Sequence, residues 1–457
     1  MTDEARVTAQ GPLRLTAFAV PAAPLLALSV PPLVFLPPYY NAHLGIDLAA
    51  ISVIFLAARM FDIVANPIIG GLQDRTRSAF GRRRIWLAAV TPLLMTAVWV
   101  AFIALPPGIP AFAVGLAVMV LYSSFAAMMI AHLGWAGELR PDYHGRTKVL
   151  GAVQIASTIG QIAVMTAPAL VEALGLGGLR EGVHAMGWAI IVFLPVTTAI
   201  CIWAVPERPV AEDRATPKKG AAWRAIAEND ALRALLAPDF LIGISQGVTG
   251  ALFLFYFQHV LGFEGQSSII LLIYFASGLA GVPLWVAAGR RLGKHRALQV
   301  ACAWAALTLA CIPLLPAGNF AIAAGAMAIA GLASAAPTLL LRAMMADVVD
   351  ADELASGAQR SGLFFGLLLT TTKVGLALGP VTYAVLAWFG FDAKLGSANA
   401  PEAILALTVL FAAGPAVLNA IAIVTLQTYP IDAKRQAEIT AALAARGGAP
   451  LSAPQTP

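Results

Sequence analysis

Three polar side chains interrupt one of the most apolar stretches of the chain. Arg59, Asp62 and Asn66 lie in the run "AARMFDIVANPIIGG" at 57–71. Spacings of three and four residues place all three on one face of a helix. A carboxylate in apolar surroundings binds a proton or a cation, and a neighbouring base can neutralise it. The pattern therefore predicts a cation-coupling site.

A lysine in a second apolar stretch is the expected partner of this acid. Lys373 lies in "LLLTTTKVGLALGP" at 367–380. A buried lysine without a counter-charge would lose its proton, so we expect it to pair with Asp62. Protonating Asp62, or binding a cation or substrate there, would change the pairing and the side to which a cavity opens. The alternative is a static Arg–Asp–Lys cluster that only holds helices together.

The composition indicates which elements carry these residues. The 457-residue chain is 59% hydrophobic and 12% charged, with a mean hydropathy of +0.80; soluble domains are about 25% charged. Backbone polar groups in lipid must be paired within helices or closed barrels. Because the apolar runs are continuous, we predict an all-α polytopic protein with twelve transmembrane helices in the lipid bilayer.

Other function classes fit the sequence poorly. The net charge is +5, but the basic residues fall in short loops between spans, so we do not expect nucleic-acid binding. The three cysteines lie in apolar runs without disulfide or metal spacing. The spans contain no nucleophile–base pair. We therefore expect no enzyme activity, no cofactor and no metal site, and the first residues do not resemble a cleavable signal.

The loop charges predict the orientation in the membrane. Most lysines and arginines lie in 74–84, 138–148, 205–233 and 289–296. Short cytoplasmic loops carry the positive excess. We therefore expect a multi-pass protein of the inner (plasma) membrane with both termini in the cytoplasm, and a monomer.

The longest polar inter-span segment predicts the domain boundary. We expect an N-terminal six-helix bundle at 1–204, a cytoplasmic linker at 205–234, a C-terminal six-helix bundle at 235–428 and a cytoplasmic tail at 429–457. In the linker, Trp223, Ile226 and Leu232 could form a short interfacial helix or belong to a solvated segment. The basic loops "GGLQDRTRSAFGRRR" and "AAGRRLGKHR" occupy equivalent places in the two halves, as expected of an internally repeated transporter.

Further polar and aromatic residues are candidates for a substrate cavity and a gate. The cavity candidates are Gln154, Gln161, Trp135, Tyr40, Thr338 and Tyr274. Interhelical hydrogen bonds are an alternative for the glutamines, and an interfacial anchor is one for Trp135. His132 fits a satisfied buried histidine better than a proton carrier. The gate candidates are Asp74, Arg75, Arg82, Arg83, Asp347, Asp350 and Arg360. We expect the acidic cluster at the end of the tenth span to pair with Arg82–Arg84 or with 289–296, or to be a solvated loop; its members are Asp347, Asp350, Asp352 and Glu353.

Several motifs together resemble one family. Arg59, Asp62 and Pro67 followed by "DRTRSAFGRRR", the loop "GELRPDYHGRTK" and the segment "ADVVDADELASGAQRSGLFFGLLLTTTKVGLALG" are similar to the glycoside–pentoside–hexuronide:cation symporters of the major facilitator superfamily. The resemblance implies two pseudo-symmetric six-helix bundles, a central cavity, alternating access and cation-coupled uptake of a sugar or glycoside. It places Lys373 at the position of the family's lysine.

The sequence also departs from that family's pattern. The family's cation site has a second acid where this chain has Asn66, and a small polar residue where it has Ala65. The sugar-binding acid and its basic neighbour fall at Leu26 and Leu25, and the sugar-contacting arginine falls at Gln154. A sodium site of the family type is therefore not expected, and the coupling ion is predicted to be a proton.

These observations predict a proton-coupled secondary transporter of a small organic solute, a sugar, glycoside or related compound, with Asp62 as titrating acid. The alternatives are a carrier of an amphiphilic or lipid-like substrate and an uncoupled facilitator. A sensor on the same fold is disfavoured because the intramembrane charges are retained.

Overall fold

The structure, a computed structural model, describes residues 12–139, 143–207, 226–227, 229–356 and 360–447. All regular secondary structure in these ranges is helical. Twelve helical segments of the described chain are long and apolar enough to cross a membrane. The predicted fold class is confirmed. Trp223 of the predicted interfacial helix lies outside the described residues.

The twelve spans are labelled α1 to α12 in chain order. They are Leu13–Val34, Leu48–Arg75, Arg82–Ala104, Ala111–Ala136, Lys148–Ala173, Leu179–Ala204, Asp230–His259, Ser267–Leu292, Lys294–Leu314, Phe320–Ser356, Gly362–Trp388 and Pro401–Leu426. A further helix, α13, runs from Ala433 to Gly447.

Three of the spans are interrupted helices. The first consists of Pro12–Ala19, Ala22–Ala27 and Pro31–Val34, and short helices continue from Leu36 to Leu44. Its sequence "PAAPLLALSVPPLVFLPPYY" contains prolines that remove backbone donors, which explains the breaks. The tenth consists of Phe320–Gly331 and Ala336–Ser356, and the eleventh of Ser361–Ala377 and Val381–Trp388. Such breaks leave backbone groups for side chains to bind.

The contacts divide the chain into two compact units. The first unit contains Met1–Asp213, Gly250–Leu272 and Pro380–Leu407, and the second contains Arg214–Thr249, Ile273–Gly379 and Thr408–Pro457. The boundaries pass through α7, α8, α11 and α12. The predicted division into bundles at 1–204 and 235–428 stays a prediction.

In the first unit, parts of the second half of the sequence pack on the first half. Glu172 at the end of α5 accepts hydrogen bonds from the backbone N and the Oγ of Ser268, at 3.1 and 2.7 Å. Its carboxylate therefore caps the start of α8, where unpaired N–H groups favour a negative charge. Within the second half of the sequence, the Tyr383 hydroxyl of α11 donates to the Ala251 carbonyl of α7 at 3.0 Å. These contacts join the helix ends opposite the basic loops.

In the second unit, α7 and α11 approach each other through glycines. A Cβ on Gly243 would lie 3.1 Å from the Thr372 carbonyl oxygen, and one on Gly375 would lie 2.7 Å from that of Phe240. Gly247 and Gly379 repeat the arrangement one turn further along. Small residues at such positions let membrane helices pack backbone to backbone. We call these four glycines the glycine seam.

The C-terminal helix α13 is attached to α10. The Gln436 Nε2 donates to the Asp350 Oδ2 at 3.1 Å. Before α13, the Tyr429 hydroxyl donates to the Met344 carbonyl at 3.2 Å. Burial raises the pKa of Tyr429, so the phenol remains a donor at neutral pH.

Candidate functional site

Asp62 lies buried in the middle of α2. The Asp47 side chain caps this helix by accepting from the Ala50 N–H at 2.9 Å. Asp62 is 4% exposed. The Asn66 Nδ2 donates to the Asp62 Oδ2 at 3.4 Å, which confirms that the two share a helix face. The buried Asn66 Oδ1 accepts no hydrogen bond from the described residues, so the pair has polar capacity left for a ligand.

Arg59 is held by an aromatic residue of α4. Its Cζ lies 4.3 Å from the centroid of the Tyr122 ring, within the range of a cation–π interaction. Tyr122 is 4% exposed. The sequence analysis missed it because α4 contains no acidic or basic residue between 113 and 131 that would have drawn attention to this span. The tyrosine within this apolar span was the sequence feature that could have pointed to a partner for Arg59.

Lys373 lies half-buried on α11, in the second unit. Asp62 belongs to the first unit. The pairing of Asp62 with Lys373 therefore stays a prediction.

A buried acid on α7 escaped the sequence analysis. Asp239 follows Pro238 and is 3% exposed. The hydroxyl Oγ1 of Thr372, which precedes Lys373, lies 2.8 Å from its Oδ1 and 3.0 Å from its Oδ2. Because Asp239 is near the start of the predicted span, its position alone suggested an interfacial residue. The three threonines before Lys373 were the sequence feature that could have pointed to a polar residue on a neighbouring helix.

Four predicted cavity residues keep accessible or half-buried side chains. Gln154 on α5 and Thr338 on α10 are exposed, while Gln161 and Tyr274 are half-buried. The Gln161 Nε2 donates to the Ser29 Oγ at 3.1 Å, beside the break in α1. Gln161 therefore uses part of its hydrogen-bonding capacity to bind α5 to α1.

Tyr40 and Trp135, the other two predicted cavity residues, are both buried in the first unit. Tyr40 is 0% exposed, and its hydroxyl donates to the Ala101 carbonyl at 2.9 Å. Trp135 is 1% exposed and contacts the Phe18 ring edge-on at 5.4 Å. Their aromatic surface stabilises helix packing, because it is removed from lipid and water alike. A place for either in a substrate cavity stays a prediction.

His132 belongs to the same buried cluster. Its ring stacks on Phe18 at 4.7 Å, and its Nε2 lies 2.9 Å from the Phe18 carbonyl. This arrangement is that of a satisfied structural histidine.

The predicted gate residues of the first unit form a network around Arg83. Its Nη2 lies 2.7 Å from the Asp74 Oδ1, and its Nη1 donates to the Gln73 Oε1 at 3.3 Å. Gly134 on α4 leaves room for it, since a Cβ there would lie 3.0 Å from the Arg83 Cζ. The Glu207 carboxylate accepts from the Arg83 backbone N–H at 2.8 Å and so caps α3. Arg83 thus connects α2, α3 and α4.

The remaining two gate residues of this unit differ in exposure. Arg82 is half-buried at the start of α3, and Arg75 is exposed at the end of α2.

The gate acids of the second unit also have partners within that unit. The Lys294 Nζ lies 2.6 Å from the Asp347 Oδ1, which is the predicted pairing with 289–296. The Arg360 Nε donates to the Asp352 Oδ2 at 2.9 Å. Asp350 accepts from Gln436. Pairing of these acids with Arg82–Arg84 stays a prediction.

Comparisons with known proteins identify the family of this chain. The sequence pattern described as "MFS/sugar transport protein" matches residues 17–433. The chain belongs to this family. It is therefore a multi-pass membrane transporter, not an enzyme.

Curated relatives extend over most of the chain. It is 24% identical over 425 residues to the glucuronide carrier protein homolog of Escherichia coli K12, covering 89% of each chain. It is 28% identical over 189 residues to the sodium-dependent lysophosphatidylcholine symporter 1-A of Danio rerio, covering 40% of this chain and 35% of the relative.

A solved structure shares the fold. The crystal structure of the nucleoside transporter NupG (D323A mutant) superposes with a TM-score of 0.68 at 16% identity, covering 90% of this chain and 99% of that one. This likeness supports the major facilitator fold alone.

Proposed function

We propose that the protein is a proton-coupled symporter of a sugar, glycoside or related small solute, working by alternating access. Asp62 is the titrating acid and Lys373 its partner. Arg59, held against Tyr122, keeps a positive charge on the same helix as Asp62. Loss of the Asp62 charge on protonation releases Lys373, and this exchange changes the side to which the cavity opens.

One observation supports a proton as the coupling ion. Asp62 is buried against the amide of Asn66, so the site offers one carboxylate. Sodium favours several oxygen ligands. Here the Asn66 amide donates to the Asp62 carboxylate and so occupies part of its capacity to accept hydrogen bonds or to bind a cation. A single buried carboxyl group binds and releases a proton without further ligands.

The relatives support the substrate class. A glucuronide carrier homolog matches nearly the whole chain. The exposed Gln154 and Thr338 and the half-buried Gln161 and Tyr274 supply amide and hydroxyl groups that hydrogen-bond sugar hydroxyls.

An amphiphilic substrate is the second candidate. Leu25 and Leu26 stand where the resembled family has charged sugar-binding residues, and Leu26 is half-buried. The lysophosphatidylcholine symporter matches part of the chain. An uncoupled facilitator of either substrate is the third.

Thermal unfolding of the purified protein separates the first two candidates. We expect sugars or glycosides to raise the unfolding temperature, and lysolipids to leave it unchanged. Stabilisation by lysolipids alone would favour the second candidate. Sodium-dependent stabilisation would contradict the proposal that the coupling ion is a proton.

We also assign the gate residues and the orientation. The Arg83–Asp74 and Lys294–Asp347 networks stabilise the cytoplasmic helix ends during the cycle. Both termini lie in the cytoplasm of a cell whose inner membrane holds the protein as a monomer.

A further inference from the structure

Asp239 is a buried acid that the proposed mechanism does not use. It lies on α7 within the second unit and is 3% exposed. The glycine seam fixes its surroundings, because Gly243 and Gly375 bring the backbones of α7 and α11 into contact beside it. Thr372 on α11 is thereby held against the carboxyl group.

The Thr372 hydroxyl has a single proton and three oxygen atoms within hydrogen-bonding distance. Its Oγ1 lies 2.8 and 3.0 Å from the two Asp239 oxygens and 2.9 Å from the Leu368 carbonyl oxygen. A hydroxyl has one proton, and an ionised carboxylate and a carbonyl only accept. If Asp239 is protonated, it donates to Oγ1, and Thr372 donates to Leu368. The Thr372 hydroxyl then accepts one hydrogen bond and donates one.

Among the described residues, no ion pair stabilises a charge at this position. Within the described part of the chain, the polar side-chain partner of Asp239 is Thr372. A carboxylate buried in apolar surroundings without a cation carries a large desolvation cost.

The titratable groups of the helices packed against α7 are accounted for. On Ser361–Ala377 the titratable group is Lys373, and Gly414–Leu426 carries none. On Ala336–Ser356, Asp347 pairs with Lys294 and Asp352 with Arg360. The others there are Arg342, Asp350 and Glu353. None of these groups pairs with Asp239.

We propose that Asp239 is a second proton-binding site of this protein, occupied in the conformation described, with Thr372 as its positioning residue. Proton release leaves a carboxylate whose polar side-chain partner among the described residues is the Thr372 hydroxyl, so we expect release to become easier when the seam between α7 and α11 opens and admits water or a cation. A role of this site in transport rests on the proposed proton coupling. The binding of a proton to Asp239 does not depend on that coupling.

Infrared spectroscopy of the purified full chain, without substrate or sodium, tests the occupancy. At neutral pH we expect a carboxylic-acid C=O band that Asp239→Asn removes and Asp62→Asn retains. Thr372→Val should shift this band without removing it, because the side chain keeps its size and loses its hydroxyl. A band unchanged by Asp239→Asn would overturn the proposal.

The pH dependence of unfolding provides an independent measurement. A group that binds its proton more tightly in the folded state contributes stability that is lost as pH rises. The unfolding temperature should therefore fall less steeply with rising pH in Asp239→Asn than in the wild type. Equal slopes would contradict a proton on Asp239. The proposed function fails separately, if Asp62→Asn keeps pH-dependent uptake.

Discussion

At the scale of single residues, the buried polar groups define what the protein can bind. Asp62 and Asn66 share one helix face, and Asp239 faces a threonine. Each acid is almost completely buried. Charges at such positions in a membrane are costly and mark functional sites. The chemistry available at both is the binding of a small cation, and a proton needs the fewest ligands.

Asn66→Asp should change the ion preference. A second carboxylate one turn from Asp62 would supply further oxygen ligands, and two like charges would favour a bound cation. We expect sodium to raise the unfolding temperature of this variant but not of the wild type. Asn66→Leu is the control, which should show no sodium effect. A sodium effect in the wild type would contradict this account of the site.

Arg83→Ala should destabilise the protein. Gln73 is 0% exposed and loses a donor, and a buried group left unsatisfied costs about 1–3 kcal/mol. The unfolding temperature should fall accordingly. Arg75→Ala, at an exposed position of the neighbouring helix end, is the matched control and should have little effect. Equal changes in the two variants would show that the Arg83 network adds no stability.

At the scale of helices, close packing positions the site. The broken first span packs on α5 at Gly160, where an added Cβ would overlap the Ala23 carbonyl oxygen. The glycine seam does the same for α7 and α11. Packing in lipid depends on such contacts because lipid provides little hydrophobic drive between helices.

Gly160→Ala should therefore destabilise the first unit. Overpacking against a backbone atom costs at least about 1–3 kcal/mol. Gly151→Ala on the same helix is the control, because no atom lies within 4 Å of its added Cβ. Alanine should there be neutral or stabilising. The unfolding temperatures of the two variants measure the difference, and a stable Gly160→Ala protein would refute the close contact.

At the scale of the whole molecule, the sequence predicted the spans well and the side-chain environments less well. Twelve apolar runs are visible because lipid requires about 20 apolar residues for each helix. Spacing also placed Asp62 and Asn66 together. It could not show that Tyr40 and Trp135 face the interior of the first unit, because in an apolar helix the buried and lipid-facing sides have similar composition. Asp239 was missed because it lies near the start of its predicted span, and only its neighbour Thr372 on another helix reveals its surroundings.

The predicted orientation is tested with fusions. Because the basic loops carry the positive excess, green fluorescent protein fused to the C-terminus should fluoresce. Alkaline phosphatase fused after Gly177, between α5 and α6, should be active. Active phosphatase at the C-terminus would reverse the orientation and the assignment of the gate.

The pH dependence of uptake in the Asp62→Asn variant tests the central claim most directly. Proteoliposomes would be given the sugar or glycoside that stabilises the wild type most, with and without an inward proton gradient. The gradient should accelerate uptake and accumulation by the wild type, while Asp62→Asn should lose this dependence and not accumulate the solute. Gradient-driven accumulation by Asp62→Asn equal to that of the wild type would contradict the account.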